Sequence, residues 1–209
     1  MAIVITVAQQ KGGTGKTTLA ANLAAAFAPD FRVALLDIDP QKSLTRWYKI
    51  RAARPQPAAT LTFSEVSGWR LGAELERLKR THDMVLVDSP PQIDTDARLA
   101  VRGADLVLIP VQPSPPDVWA AEGTLALAAA ERRPARVVLN RVPPASRLGE
   151  TVKADLITRA LPLLRAAIGN RTGFATAFAV GLGVTEAAPR SSAAAELRAL
   201  LQELREITE

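Results

Sequence analysis

Residues 4–18 read VITVAQQKGGTGKTT. An unbroken apolar run gives way to a glycine-rich turn, and the turn opens into Lys16, Thr17 and Thr18 at the head of an alanine-rich, helix-forming stretch. Few folds accept that succession. The apolar run reads as a strand covered on both faces. The glycines let consecutive backbone N–H groups converge in front of a helix N-terminus. Such a point attracts phosphate, because the first amides of a helix are unpaired and its dipole favours negative charge. The pattern predicts an ATP phosphate loop made by Gly12, Gly13, Thr14, Gly15, Lys16, Thr17 and Thr18. Lys16 supplies a point charge at the β- and γ-phosphates, and Thr17 offers a hydroxyl to Mg2+.

The rest of the chain repeats the strand-then-helix pattern. Short apolar runs without period-two alternation lie at 2–8, 32–37, 84–88, 106–110 and 136–140, with weaker strand candidates at 61–66 and 163–168. Helical stretches fall between them at 16–28, 43–54, 69–80, 95–103, 117–131 and 150–161. This alternation predicts an α/β phosphate-loop NTPase with a mostly parallel, twisted sheet covered by helices on both faces. Its 209 residues suit a single ATPase domain over 1–209. The closing segment, SSAAAELRALLQELREITE, predicts an amphipathic helix capped by Ser191 or Ser192. Leu197, Leu200, Leu201 and Leu204 form its apolar stripe, which is expected to dock on the core.

Three aspartates stand where parallel strands end, the edge at which such sheets bind ligands. ALLDIDPQKS places Asp37 and Asp39 two residues apart, and MVLVDSPP places Asp88 after four apolar residues. Asp88 has the Walker B pattern and is expected to hold Mg2+ through water. The following residue is Ser89, so the glutamate that many such ATPases use as a base is missing. Asp39 is then the candidate for orienting the attacking water, and Asp37 a neighbour of the magnesium site.

Composition removes other chemistries. The chain has no cysteine and one histidine, His82, which excludes disulfides, thiolate metal sites and iron–sulfur clusters and disfavours a histidine metal cluster. The N-terminus lacks the pattern of a secretory leader, so a cytoplasmic protein is expected. Net charge is +5. From Arg132 to Arg190, ten basic residues face three acidic ones, a local balance of +7. That segment is either a solvated surface or a footprint for a polyanion. His82 reads as a surface turn residue, and Trp47, Trp69 and Trp119 as core or interface residues.

KGGTGKTT resembles the deviant Walker A motif, K-G-G-x-G-K-[ST]-[ST], of the ParA/MinD ATPases. The resemblance extends through DSPPQIDTDARLAVRGADLVLIPVQPSPPDVWAAEGT, similar to the family's switch region, fifth strand and following helix, and through NRTGFATAFAVGLGVTE. DSPP stands where DCPP is commoner. By this resemblance Lys11 reaches the partner subunit's nucleotide when two monomers sandwich two ATPs, and Lys16 acts in cis. Asp39 takes the hydrolytic role of the second aspartate of DxD, and Asn140 lies near the adenine. Arg171 and Arg190 fall where small ParA proteins carry DNA-contacting basic residues. By the same resemblance, no helix-turn-helix domain is expected before the first strand, as in the small ParA class.

The resemblance therefore implies an ATP- and Mg2+-dependent homodimer, cytoplasmic and nucleoid-associated, that binds DNA without sequence preference. A ParB-like or cargo-adaptor protein would stimulate hydrolysis, and the cycle would segregate or position a plasmid, chromosome or protein cargo. A MinD-like membrane-cycling ATPase is the alternative that the acidic terminal helix disfavours. A metabolic ligase of the dethiobiotin synthetase type is the alternative that Lys11 disfavours.

Overall fold

The computed structural model describes residues 2–55, 58–66, 68–92, 95–145 and 147–208. Gln56 and Pro57 of the loop at 54–60, and Ile93 and Asp94 of the switch-like segment, lie outside the described residues. Seven strands form one sheet: β1 (Ile3–Val7), β2 (Val33–Asp37), β3 (Thr62–Glu65), β4 (Met84–Asp88), β5 (Leu106–Val111), β6 (Ala135–Val142) and β7 (Leu163–Gly169). Their spatial order is β3-β2-β4-β1-β5-β6-β7, with every described pairing parallel. The apolar runs of β2, β4 and β5 are buried at every position, as strands with helices on both faces must be.

The helices divide between the two faces. On one face α1 (Lys16–Phe27), α2 (Ser43–Ala52), α7 (Thr172–Ala179), α8 (Val184–Ala187) and α9 (Ser192–Thr208) close over Ile5, Val7, Leu35, Leu86, Leu108 and Val138. On the other, α3 (Gly68–Lys79), α4 (Thr95–Gly103), α5 (Pro115–Ala130) and α6 (Arg147–Thr158) cover Val4, Leu36, Val85, Val107 and Ile109. The alanines of α1 let it lie close against the sheet, where it is buried along most of its length.

The terminal helix follows its expected stripe. Leu197, Leu200 and Leu204 are fully buried and Leu201 nearly so, each contributing about 1.5–3 kcal/mol by burial. The Ser191 hydroxyl accepts the Ala194 amide at 3.2 Å and caps the start. The acidity of α9 has a structural use. Glu203 accepts the Arg165 and Ala166 amides at 2.9 and 2.8 Å, and Glu196 accepts the Gly169 amide at 3.0 Å. Edge strand β7 thus has backbone donors satisfied by carboxylates on the helix beside it. Trp47 is fully buried, whereas Trp69 and Trp119 are exposed. His82 donates or accepts within its turn and against Thr62 at 2.8 Å.

Candidate nucleotide site

Register sets the site. Val7 at the end of β1 and Asp37 at the end of β2 both pair with Asp88 at the end of β4, so the phosphate loop and the aspartates meet at one edge of the sheet. Gly13 and Gly15 adopt φ of +80° and +93°, a region closed to most side chains, and these turns bring the chain back over the end of β1. Gly15 is the residue before α1, and no side chain caps the helix. Its first amides are therefore left for an anion.

The loop is braced from behind. The Asn140 side-chain amide donates to the Thr14 carbonyl at 2.7 Å, and Gln112 donates to the Gly13 carbonyl at 2.8 Å. A methyl group on Gly15 would come within 2.6 Å of the Asn140 amide nitrogen. Asn140 thus has a mechanical role in the loop besides the adenine contact expected of it.

Lys16 is buried. Burial pushes its ammonium below the ordinary lysine range, against the opposing pull of Asp88 and then Asp39. Its amine has only the Lys11 carbonyl, at 3.4 Å, as an acceptor among the described residues. Asp88 is fully buried, and neither carboxylate oxygen has a donor in good hydrogen-bonding geometry. Burial raises it to about 8, opposed by the loosely facing Thr17 hydroxyl and by Lys16, and assisted by the charges of Asp37 and Asp39. An orphaned carboxylate beside a threonine hydroxyl suits a hydrated Mg2+. No three Asp, Glu, His or Cys side chains among the described residues converge to hold a metal unaided. A magnesium ion here would share its coordination with nucleotide phosphates, as such ions commonly do.

The DxD pair divides its labour. Asp39 is nearly buried and steadied by the Gln41 amide, which donates to its carboxylate at 2.9 Å. Asp37 is otherwise engaged: Oδ2 accepts the Thr45 amide and hydroxyl, and Oδ1 accepts the Asp39 amide at 3.1 Å. Asp37 ends β2 in register with Asp88, the neighbourhood expected of it, and it also has a structural role. Oδ2 holds the first turn of α2, while Oδ1 accepts a single amide in the loop before it and keeps a lone pair for a metal-bound water.

Lys11 stands on the outer side of the loop, 41% exposed, and its ammonium rests on the buried carboxylate of Asp117 in α5. Asp117, Gln112 and Thr45 are site-supporting residues that sequence reasoning did not single out. The S-x-x-D spacing from Ser114 to Asp117 is the capping signal that could have pointed to the first of them.

A cavity of about 270 Å³ opens beside the loop, lined by Gly15, Thr18, Asn140, Arg141, Arg171 and Phe174 among others. It has the position and the mixed lining a nucleoside needs. Arg171 therefore sits at the mouth of the nucleotide site, paired with Glu196 at 2.7 Å. The DNA contact expected of Arg171 would have to compete with this ion pair. Arg190 is exposed, and its side chain makes no hydrogen bond or ion pair among the described residues. The basic segment is also less charged than its sequence. Arg159 pairs with Glu122, and Arg165 with Glu203 and Glu206, all acids from outside that segment.

Sheet order, loop and aspartates together define a phosphate-loop nucleotide-binding protein. Residues 5–184 match the CobQ/CobB/MinD/ParA nucleotide binding domain, and the chain belongs to that family. It is 30% identical to the maintenance of carboxysome distribution protein A of Halothiobacillus neapolitanus, over 97% of this chain and 96% of that protein. It is 36% identical to the protein of the same name from Gloeobacter kilaueensis, over 96% and 93%. The septum site-determining protein MinD from Pyrococcus horikoshii, complexed with Mg-ADP, shares the fold with a TM-score of 0.81 at 19% identity, over 99% of this chain and 97% of that one.

Proposed function

We propose that this chain is a ParA-like ATPase that positions a cargo by cycling between an ATP-bound dimer on nucleoid DNA and a released monomer. The observation that carries the reading is the site itself: buried Lys16 and orphaned Asp88 behind an uncapped helix start, with Asp39 beside them. The loop amides and Lys16 bind and orient the triphosphate. Mg2+, when bound with nucleotide through Thr17 and water held by Asp88, neutralises phosphate charge. Asp39, fixed by the Gln41 amide, orients the attacking water and takes its proton. Lys11 crosses to the second subunit's nucleotide, so the cation that stabilises γ-phosphate charge arrives only with the dimer. A partner protein completes the site and accelerates turnover. Two relatives matched over nearly their whole length carry names from carboxysome distribution, which favours a protein assembly as cargo over a plasmid or chromosome.

The membrane-cycling alternative loses support, because the apolar stripe of α9 is spent on the core. No helix among the described residues is long and apolar enough to cross a membrane. Phosphate release from ATP is the test of the chemistry. The wild type should turn over slowly, and Asp39→Ala should bind ATP without hydrolysing it. Full turnover by Asp39→Ala removes Asp39 from this role.

A further inference from the structure

We propose that Asp117 is a latch for Lys11, holding its ammonium within its own subunit until nucleotide engages the loop. The inference rests on the reading of Lys11 as the lysine that crosses to a second copy.

The pair is asymmetric. Lys11 is 41% exposed, whereas the Asp117 side chain is 1% exposed. The lysine can swing away, and the carboxylate cannot follow it into water. Asp117 Oδ2 takes Lys11 together with the Ser114 hydroxyl at 2.5 Å, and Oδ1 has no partner. Lys11 is the one ion-pair partner of this carboxylate among the described residues. Its departure would strand a buried charge, so the nucleotide-free chain keeps the lysine at home.

The release is coupled to phosphate through the second lysine. Lys16 donates to the Lys11 carbonyl at 3.4 Å, a long bond to a neutral acceptor. A phosphate oxygen offers Lys16 a shorter, charge-assisted bond and takes it from that carbonyl. The backbone of Lys11 then loses its tie to the loop interior. Phosphate charge arriving beside the loop also competes with Asp117 for the Lys11 ammonium. Both effects favour the outward position only when nucleotide is present, which makes dimerisation conditional on it.

The test uses the full chain with Asp117→Asn, which keeps the shape and a hydrogen bond to Ser114 but removes the charge. Asp117→Ser, less bulky, carries the same expectation should the first variant not fold. One readout needs no dimer: the rate at which acetic anhydride acylates Lys11 in nucleotide-free protein, measured by peptide mass spectrometry against exposed Lys153. It should rise about fivefold or more on removing the carboxylate. The second readout is the ATP concentration at half-maximal dimerisation, which should fall about tenfold. A wild type that dimerises with ATP, beside a folded Asp117→Asn with either readout unchanged, overturns the latch alone. A wild type that never dimerises with ATP overturns the functional reading and the latch together.

Discussion

The Asp37 carboxylate takes two donors from Thr45, the backbone amide at 2.8 Å and the hydroxyl at 2.7 Å, in a buried setting. Strand β2 thereby grips the first turn of α2, and the loop between them carries Asp39. Asp37→Ala should cost about 1–3 kcal/mol by stranding the Thr45 amide and hydroxyl. Urea denaturation checks it. A variant as stable as the wild type would show that the bonds to Thr45 contribute nothing net.

Asp88 gives the nucleotide-free protein a distinctive pH dependence. Its ordinary value is 3.8, and burial raises it to about 8 in the fold. Between those values the folded protein holds a proton that the unfolded chain has lost. Stability therefore falls as pH rises from about 4 to about 8 and levels off above, by at most about 1.4 kcal/mol per pH unit from this group. Asp88→Asn removes the titration. The difference between wild-type and variant stability, measured by urea denaturation without nucleotide or Mg2+, should slope through that window. Parallel profiles would mean that Asp88 keeps an ordinary carboxylate value.

DNA binding should need ATP, ignore sequence and weaken steeply with salt, because two modest basic faces act together on one dimer. Arg190, exposed and unpaired among the described residues, should contribute to it. Arg190→Ala should keep the dimer and flatten the salt slope by about one unit per lost phosphate contact. Arg171→Ala should instead weaken nucleotide binding, since Arg171 lines the cavity beside Asn140. Gel shifts on two unrelated duplexes and nucleotide titrations separate the two arginines. Equal effects of both on DNA alone would restore the expectation from sequence.

Much of the fold was legible in the sequence. The five inner strands were signalled by apolar runs, since strands with helices on both faces need no polar side, whereas the edge strands β3 and β7 carry polar residues and gave a weaker signal. Helix ends were less legible: α6 begins at Arg147, three residues earlier than its apolar spacing suggests. Short helices α7 and α8 were missed, because TGFATAFA and VTEA are too short to show a helical period. The loop's glycines and Lys16 were readable because their chemistry depends on neighbours in sequence. Asp117 and Thr45 were not, because their partners Lys11 and Asp37 lie across the fold. Charge counting could not show that Arg159, Arg165 and Arg171 pair with Glu122, Glu206 and Glu196 on other elements.

No measurement bears harder on the shared nucleotide site than the mass of wild type and Lys11→Ala by light scattering, with and without ATP and Mg2+. The wild type should pass from 22.3 kDa to about twice that with ATP. Lys11→Ala should remain a monomer while still binding ATP through Lys16 and the loop amides. Lys16→Ala should lose ATP binding itself, which separates the two lysines. A Lys11→Ala protein that dimerises with ATP as the wild type does, or a wild type that stays a monomer with ATP and Mg2+, would contradict the role of Lys11 as the lysine that joins two subunits across their nucleotides.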